Sequence, residues 1–213
     1  MKTIYLFSGL GADERVFKYL EFPGYHVVHV KWIAPFRNEP IAEYAKRLLQ
    51  QIHTDRPILI GLSFGGIMAI EVSKLIETEK LIIIASVKTR NELPFYFRLA
   101  KYLPLYKMIP SSLMKYPNRM SNWFFGAESK EDKEILATIL KDTDPAFLKW
   151  AINTIVNWDN RELIKQLLHI QGDADHVLPA RFVRADIIIN AGGHLMTLNK
   201  AEELNLVINR SLK

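Results

Sequence analysis

Ser63 stands in Gly61-Leu62-Ser63-Phe64-Gly65-Gly66, after the apolar run Pro57-Ile58-Leu59-Ile60 and before Ile67-Met68-Ala69-Ile70-Glu71-Val72. The order reads as buried strand, sharp turn, helix, and the turn carries G-x-S-x-G, the pattern of a nucleophile elbow. Glycines two before and two after the serine leave room where strand and helix approach closely. The Ser63 hydroxyl would project above the sheet, facing the N-terminus of the following helix, where negative charge is favoured. Three fixed residues in five positions also occur by chance. The same stretch fits a Gly-rich strand–helix turn with a buried or capping serine, so its context has to decide.

Two further pieces lie downstream. In Leu167-Leu168-His169-Ile170-Gln171-Gly172-Asp173-Ala174-Asp175-His176-Val177-Leu178-Pro179 an apolar run gives way to an acid-bearing loop, and Asp173 and Asp175 compete as its functional carboxylate. In Ala185-Asp186-Ile187-Ile188-Ile189-Asn190-Ala191-Gly192-Gly193-His194 another strand ends in a Gly-Gly turn, followed at once by a histidine. The chain order is Ser, Asp, His. A serine hydroxyl is protonated at neutral pH and attacks poorly. A histidine that takes its proton, itself held by a carboxylate, lets it attack a carbonyl carbon. His26, His29 and His53 stand far in sequence from any carboxylate loop and read as surface or satisfied histidines. His169 falls inside a strand, and His176, beside Asp175, reads as structural. No His/Cys/Asp cluster has metal-ligand spacing, no G-x-x-x-x-G-K loop exists, and Gly9-Leu10-Gly11-Ala12-Asp13 lacks the third glycine of a dinucleotide fingerprint. No cofactor is expected.

On Gly61-Leu62-Ser63-Phe64-Gly65, Gly172-Asp173-Ala174-Asp175 with Pro179, and Gly192-Gly193-His194, the chain resembles a small α/β-hydrolase over nearly its whole length, least so in residues 90–160. The resemblance implies Ser63 as nucleophile, His194 as base and Asp175 as the acid, because the acid in similar sequences is the third residue after the loop glycine. Glu92, after the fourth strand, stands where some relatives place a displaced acid. Phe7-Ser8-Gly9-Leu10-Gly11 resembles the family's oxyanion loop, with Ser8 where many relatives have histidine. The backbone N–H groups of Leu10 and Phe64 are the implied oxyanion donors.

Short unbroken Val/Ile/Leu runs predict strands buried on both faces at Thr3–Phe7, His26–Val30, Ile58–Leu62, Leu81–Ala85, Leu168–Gln171 and Asp186–Asn190. Helices fit Glu14–Leu20, Ile41–Ile52, Gly65–Ile76 and Ala201–Leu212, the last with Asn199 and Glu202 as a capping pair. The expected fold class is α/β: an α/β-hydrolase fold with a doubly wound parallel six-stranded sheet, ordered 2-1-3-4-5-6 by analogy, without the family's usual first hairpin. Residues 90–159 break the alternation. Ser129 with Asp132, and Asp144-Pro145, start helices there, while Pro94, Pro104, Pro110 and Pro117 divide the earlier half into short pieces. The domain reading is a core of 1–89 and 160–213 with a helical cap at 90–159, inserted after the fourth strand. Most of the cap's aromatics must hold it together, Tyr106 and Tyr116 among them. Trp123, Phe124 and Trp150 are the candidates for lining an apolar substrate pocket.

Composition narrows the classes. The 213 residues carry no cysteine, which excludes disulfides and thiolate metal sites, and a net charge of +5. The longest apolar stretch stops at Glu71, too short to span a bilayer, and the N-terminal run reads as a first strand rather than a signal peptide, so a cytoplasmic protein is the default. No nucleic-acid module is visible. Lys88, Arg90, Arg98, Lys101, Lys107, Lys115 and Arg119 face one acid, Glu92, between positions 88 and 119. That stretch reads either as a solvated helical face or as a basic rim that steers substrates with an anionic tail. The expected function is a serine hydrolase cleaving carboxylic esters or thioesters of a small molecule with an apolar acyl part. A lyase or C–C bond hydrolase using the same triad as a base, and a non-catalytic receptor on this scaffold, are the competing readings.

Overall fold

The apolar runs pair side by side. In the computed structural model, which describes residues 1–102 and 118–213, six strands form one sheet: β1 (Thr3–Phe7), β2 (His26–His29), β3 (Ile58–Leu62), β4 (Lys80–Ile84), β5 (Leu167–Gly172) and β6 (Ile187–Ile189). All neighbours are parallel and the order is β2-β1-β3-β4-β5-β6, as the resemblance implied. Alternate residues go to opposite faces, the period of a strand. Ile4, Leu6, Ile58, Ile60, Ile82 and Ile84 join one buried cluster, and Tyr5, Phe7, Leu59, Leu81 and Ile83 the other. A sheet buried on both faces needs helices on both.

Those helices are α1 (Ile41–Leu48), α2 (Phe64–Ser73), α3 (Phe95–Ala100), α4 (Arg119–Phe125), α5 (Lys130–Asp142), α6 (Pro145–Asn157), α7 (Met196–Asn199) and α8 (Ala201–Ser211). Tyr44 and Leu48 of α1 and Ile67 to Val72 of α2 fill one layer, and Leu204 and Ile208 of α8 the other. Four of these helices, α3 to α6, lie between β4 and β5 in the chain. Two of them reach the core: Leu136 and Ile139 of α5 pack into one layer, Phe147, Trp150 and Ala151 of α6 into the other. The starts read from sequence are present as capping geometry. Ser129 and Asp132 form a reciprocal box, and the Asp144 carboxylate accepts the Phe147 N–H with Pro145 following. Pro104, Pro110, Pro117, Tyr106, Tyr116, Lys107 and Lys115 lie outside the described residues.

Several boundaries differ from the sequence reading, each for a local reason. The expected helix from Glu14 is a 3-10 turn, Glu14–Phe17, because the Asp13 carboxylate caps the Arg15 N–H and also grips its guanidinium. The helix from Ile41 tightens into a 3-10 turn at Leu49–Gln51. The helix after Ser63 stops at Ser73, whose hydroxyl bonds back to the Ile70 carbonyl. The capping pair of Asn199 and Glu202 does not form. Asn199 Nδ2 donates to the Gly126 carbonyl (2.9 Å) instead, and α8 starts without a side-chain cap. Tertiary demand on that amide outweighs the local motif.

Candidate active site

The candidate catalytic and oxyanion groups hang on turns that leave the same edge of the sheet. Between β3 and α2 the chain turns in a space that only glycine allows. A Cβ on Gly61 would lie 2.3 Å from the Gly65 carbonyl oxygen, and one on Gly65 would lie 2.1 Å from the Phe7 oxygen and 2.3 Å from that of Ser8. Ser63 itself adopts φ 54 and ψ −119, a conformation that costs a side-chain-bearing residue on the order of 1–3 kcal/mol. Its surroundings hold it there: the Ser63 N–H donates to the Ile84 carbonyl (2.9 Å), and its carbonyl accepts from Gly66 N–H (2.9 Å) and Ser86 Oγ (2.7 Å).

The β6–α7 turn delivers His194 by the same means. A Cβ on Gly172 would lie 2.0 Å from the Gly192 oxygen, and Ala174 N–H bonds that oxygen (3.0 Å), so the loops after β5 and β6 run in direct backbone contact. His194 Nε2 is 2.8 Å from Ser63 Oγ, and His194 Nδ1 is 2.8 Å from Asp175 Oδ2. A carboxylate only accepts, so Nδ1 carries the proton and Nε2 offers its lone pair to the Ser63 hydroxyl. Asp175 and His194 are buried.

Of the two competing acids, Asp175 is the one brought to the histidine, while Asp173 is exposed. Asp175 Oδ1 also accepts the Val177 and Leu178 N–H groups, both at 2.8 Å, and Oδ2 accepts Gln171 Nε2 at 3.0 Å. Three donors besides the imidazole occupy its oxygens and fix its direction. Gln171, whose amide also donates to the Leu178 carbonyl (2.7 Å), is a member of the site that the sequence reading passed over. Its only signal was a long polar side chain inside a mostly apolar strand, four residues before Asp175. Glu92 is elsewhere: its carboxylate accepts the backbone N–H of Lys88 (2.6 Å) and of Arg184 (3.1 Å).

The loop after β1 lies against the same turn. A Cβ on Gly9 would be 3.8 Å from Ser63 Cβ. Ser8, in the place of the more usual histidine, donates its hydroxyl to the Ala12 carbonyl (2.7 Å) and so closes this loop on itself. The Gly9 carbonyl accepts Ala12 N–H (3.0 Å) and Trp32 Nε1 (3.2 Å). The peptide is trans, so fixing that carbonyl points the Leu10 N–H the opposite way, away from Trp32. Phe64 N–H is the first of α2, where amides have no partner within the helix. Trp32 had no sequence signal, because nothing in its spacing ties it to Gly9.

The three candidate pocket residues part company. Trp150 is buried among Tyr44, Phe64 and Phe147 and donates its indole N–H to the Glu39 carbonyl (2.9 Å); it also borders a surface cavity of about 480 Å³ with Phe36, Arg37 and Lys149. Trp123 stacks on His176, with ring centres 4.0 Å apart and planes 14° from parallel, and is otherwise exposed. Phe124 is exposed too, and its neighbour Phe125 is the ring beside His194, at 5.8 Å. The remaining histidines stand apart. His26 and His53 are exposed, and His29, half-buried beside Phe17, is held below its ordinary pKa by that burial. His169 is wholly buried in β5, and burial, with the Lys88 charge adding to it, pushes its pKa down to about 4. Of the basic stretch, Lys88 donates to the Arg184 carbonyl, Arg90 pairs with Asp159, and Lys101 and Arg119 are exposed. Among the described residues no group of His, Cys, Asp and Glu could hold a metal ion, and no helix is long and apolar enough to cross a membrane.

No protein-family model matches the chain, and no curated protein matches it. Solved structures do. An esterase from Exiguobacterium antarcticum aligns with a TM-score of 0.76 at 18% identity, covering 100% of this chain and 92% of that one. A hydrolase from Oleispira antarctica gives 0.76 at 17%, covering 100% and 92%, and a bromoperoxidase from Bacillus anthracis gives 0.73 at 17%, covering 99% and 91%. The chain has the α/β-hydrolase fold.

Proposed function

We propose that the chain is a serine hydrolase that cleaves carboxylic ester or thioester bonds through an acyl-enzyme on Ser63. The observation that carries this reading is the continuous set of hydrogen bonds from Ser63 Oγ through His194 to Asp175 at 2.8 Å each, on a backbone that glycine contacts hold in place. Esterase and hydrolase are also what two of the structural neighbours are called.

In this mechanism His194 Nε2 removes the Ser63 proton as Oγ attacks the carbonyl carbon. The resulting imidazolium is stabilised by Asp175, which keeps its own charge. The tetrahedral oxyanion is met by the N–H groups of Phe64 and Leu10, each such donor being worth about 3 kcal/mol of barrier. The positive end of α2 adds to that field. His194 then gives its proton to the leaving alcohol or thiol. A water, deprotonated by the same nitrogen, releases the acid and restores Ser63. Trp32 and Gln171 are positioning residues, the first holding the Leu10 peptide and the second holding the Asp175 carboxylate. We assign residues 90–159 as a cap over this edge, with Phe125, beside His194, nearer the chemistry than Trp123 or Phe124.

The test is turnover of a panel of short and medium acyl esters and thioesters. Ser63→Ala should leave the fold unchanged and lower kcat by about 10⁴-fold or more. Retention of most of the activity would remove Ser63 from the role.

A further inference from the structure

Among the described residues thirteen large hydrophobic side chains are exposed, and seven of them belong to two short pieces of chain, 95–102 and 120–124: Phe95, Tyr96, Leu99, Tyr102, Met120, Trp123 and Phe124. Five are open over half of their surface or more: Phe95 60%, Leu99 51%, Tyr102 74%, Met120 73% and Trp123 60%. Scattered apolar residues are ordinary on a soluble surface, but a concentration of this kind is not.

The two pieces belong to one face. Tyr96 Oη donates to the Val177 carbonyl (3.0 Å), and Trp123 stacks on His176. Both helices therefore flank the loop that begins at Asp175. Among the described residues the exposed charge on this face is mainly basic. Over 93–102 and 118–127 the sequence has no Asp or Glu, while Lys101 and Arg119 are basic. Lys101 and Arg119 are exposed, as is Arg181, whose guanidinium lies 5.0 Å from the Phe182 ring centre. Glu92 spends its carboxylate on backbone amides, and exposed acids return only at the margin, in Asp173 and Glu128.

We propose that this face docks on an anionic lipid surface. The aromatic and aliphatic tips enter the headgroup–acyl boundary, and the Lys and Arg side chains reach the lipid phosphates along their apolar stems. A soluble acidic peptide would satisfy the charges and leave the rings in water, whereas an anionic bilayer takes both. In this orientation the Asp175–His194 edge faces the lipid. The proposal rests on the surface and not on the chemistry of Ser63, so the two can fail separately.

The test is co-sedimentation of the full chain carrying Ser63→Ala, which removes turnover, with vesicles of phosphatidylcholine alone and of phosphatidylcholine with about a third phosphatidylglycerol. Binding to the anionic vesicles, weakened by salt and by the absence of phosphatidylglycerol, is expected. Leu99→Ser with Met120→Ser should weaken it at least about tenfold through lost apolar insertion. Lys101→Glu with Arg119→Glu, which leaves the apolar tips in place, should do the same through charge. Absence of binding to either vesicle overturns the proposal, as does binding that neither pair of substitutions changes. A concentration-dependent dimer abolished by Leu99→Ser with Met120→Ser would also overturn it, by assigning the face to a second copy of the chain.

Discussion

The sheet edge and the helices between β4 and β5 both place side chains around the loops that carry Asp175 and His194, with different materials. At the edge the placement is made by backbone against backbone: Gly65 on Phe7 and Ser8, Gly172 on Gly192, the Ser63 N–H on the Ile84 carbonyl. In α3 and the first turns of α4 it is made by rings and hydroxyls, such as Trp123 on His176 and Tyr96 on Val177. Only at its C-terminus does α4 join the backbone scheme, where Phe125 accepts the Leu195 N–H (3.0 Å) and Gly126 lies against Gly193. A backbone contact has no freedom to relax, whereas a ring stack on an exposed surface can be lost at little cost. The difference teaches where precision is needed. The hydrogen-bonded groups are built on the stiff part, and the variable contacts on the soft part.

The largest effect should come from breaking the stiff part. Gly65→Ala drives a methyl group to 2.1 Å from the Phe7 oxygen, with no side chain able to yield, and should cost at least about 3 kcal/mol in a denaturant titration. Trp123→Ala in the same titration should cost under about 1 kcal/mol, since the ring is mostly exposed. Similar losses for the two would erase the distinction.

The choice of carboxylate is read in the rate. Asp175→Asn removes the charge that stabilises the imidazolium and turns an amide N–H donor toward Nδ1, which favours the wrong tautomer, so kcat for an ester should fall by roughly 10³- to 10⁴-fold. Asp173→Asn, on an exposed side chain of the same loop, should change it by less than about threefold. The reverse ranking would put the wrong carboxylate in the site.

A further effect on stability appears only as the pH falls. His169 is buried in β5 with its pKa near 4 and titrates near 6.5 when unfolded. Its folded pKa is depressed, so below the unfolded value the unfolded chain binds a proton that the native chain refuses. The stability it permits is complete above about pH 6.5, declines as pH falls, and is gone by about pH 4, a change on the order of 3 kcal/mol. His169→Leu should flatten that part of the stability profile relative to the parent chain. Parallel profiles for the two proteins would show that the ring is solvated.

How far the sequence could be read follows the same division. Strands buried on both faces announce themselves as unbroken Val/Ile/Leu runs, and turns that only glycine can make announce themselves by glycine. The six strands and the turns that carry Ser63 and His194 were therefore legible, while the strand order came only through the resemblance. Asp175 was legible only through a resemblance, because spacing alone leaves Asp173 beside it. The helix starts at Ser129 and Asp144 were legible because a cap is a local motif. Apart from Gln171, whose partner is near in sequence but depends on the path of the loop, what escaped depends on contacts distant in sequence. Gln171 reaches Asp175 only because the loop after β5 folds back over its strand, and Trp32 finds the Gly9 carbonyl across 23 residues. Asn199, read as a cap, is drawn instead to a carbonyl 73 residues away. Long-range polar pairs of this kind leave no periodicity to read.

The central claim is that Ser63 is an activated nucleophile. A fluorophosphonate probe reacts with such a serine and ignores an ordinary one, so labelling followed by peptide mapping reads the claim directly. The account predicts a single adduct on Ser63, lost in Ser63→Ala and strongly slowed in Asp175→Asn. A folded chain that takes no label, or that takes it on another residue, would contradict it.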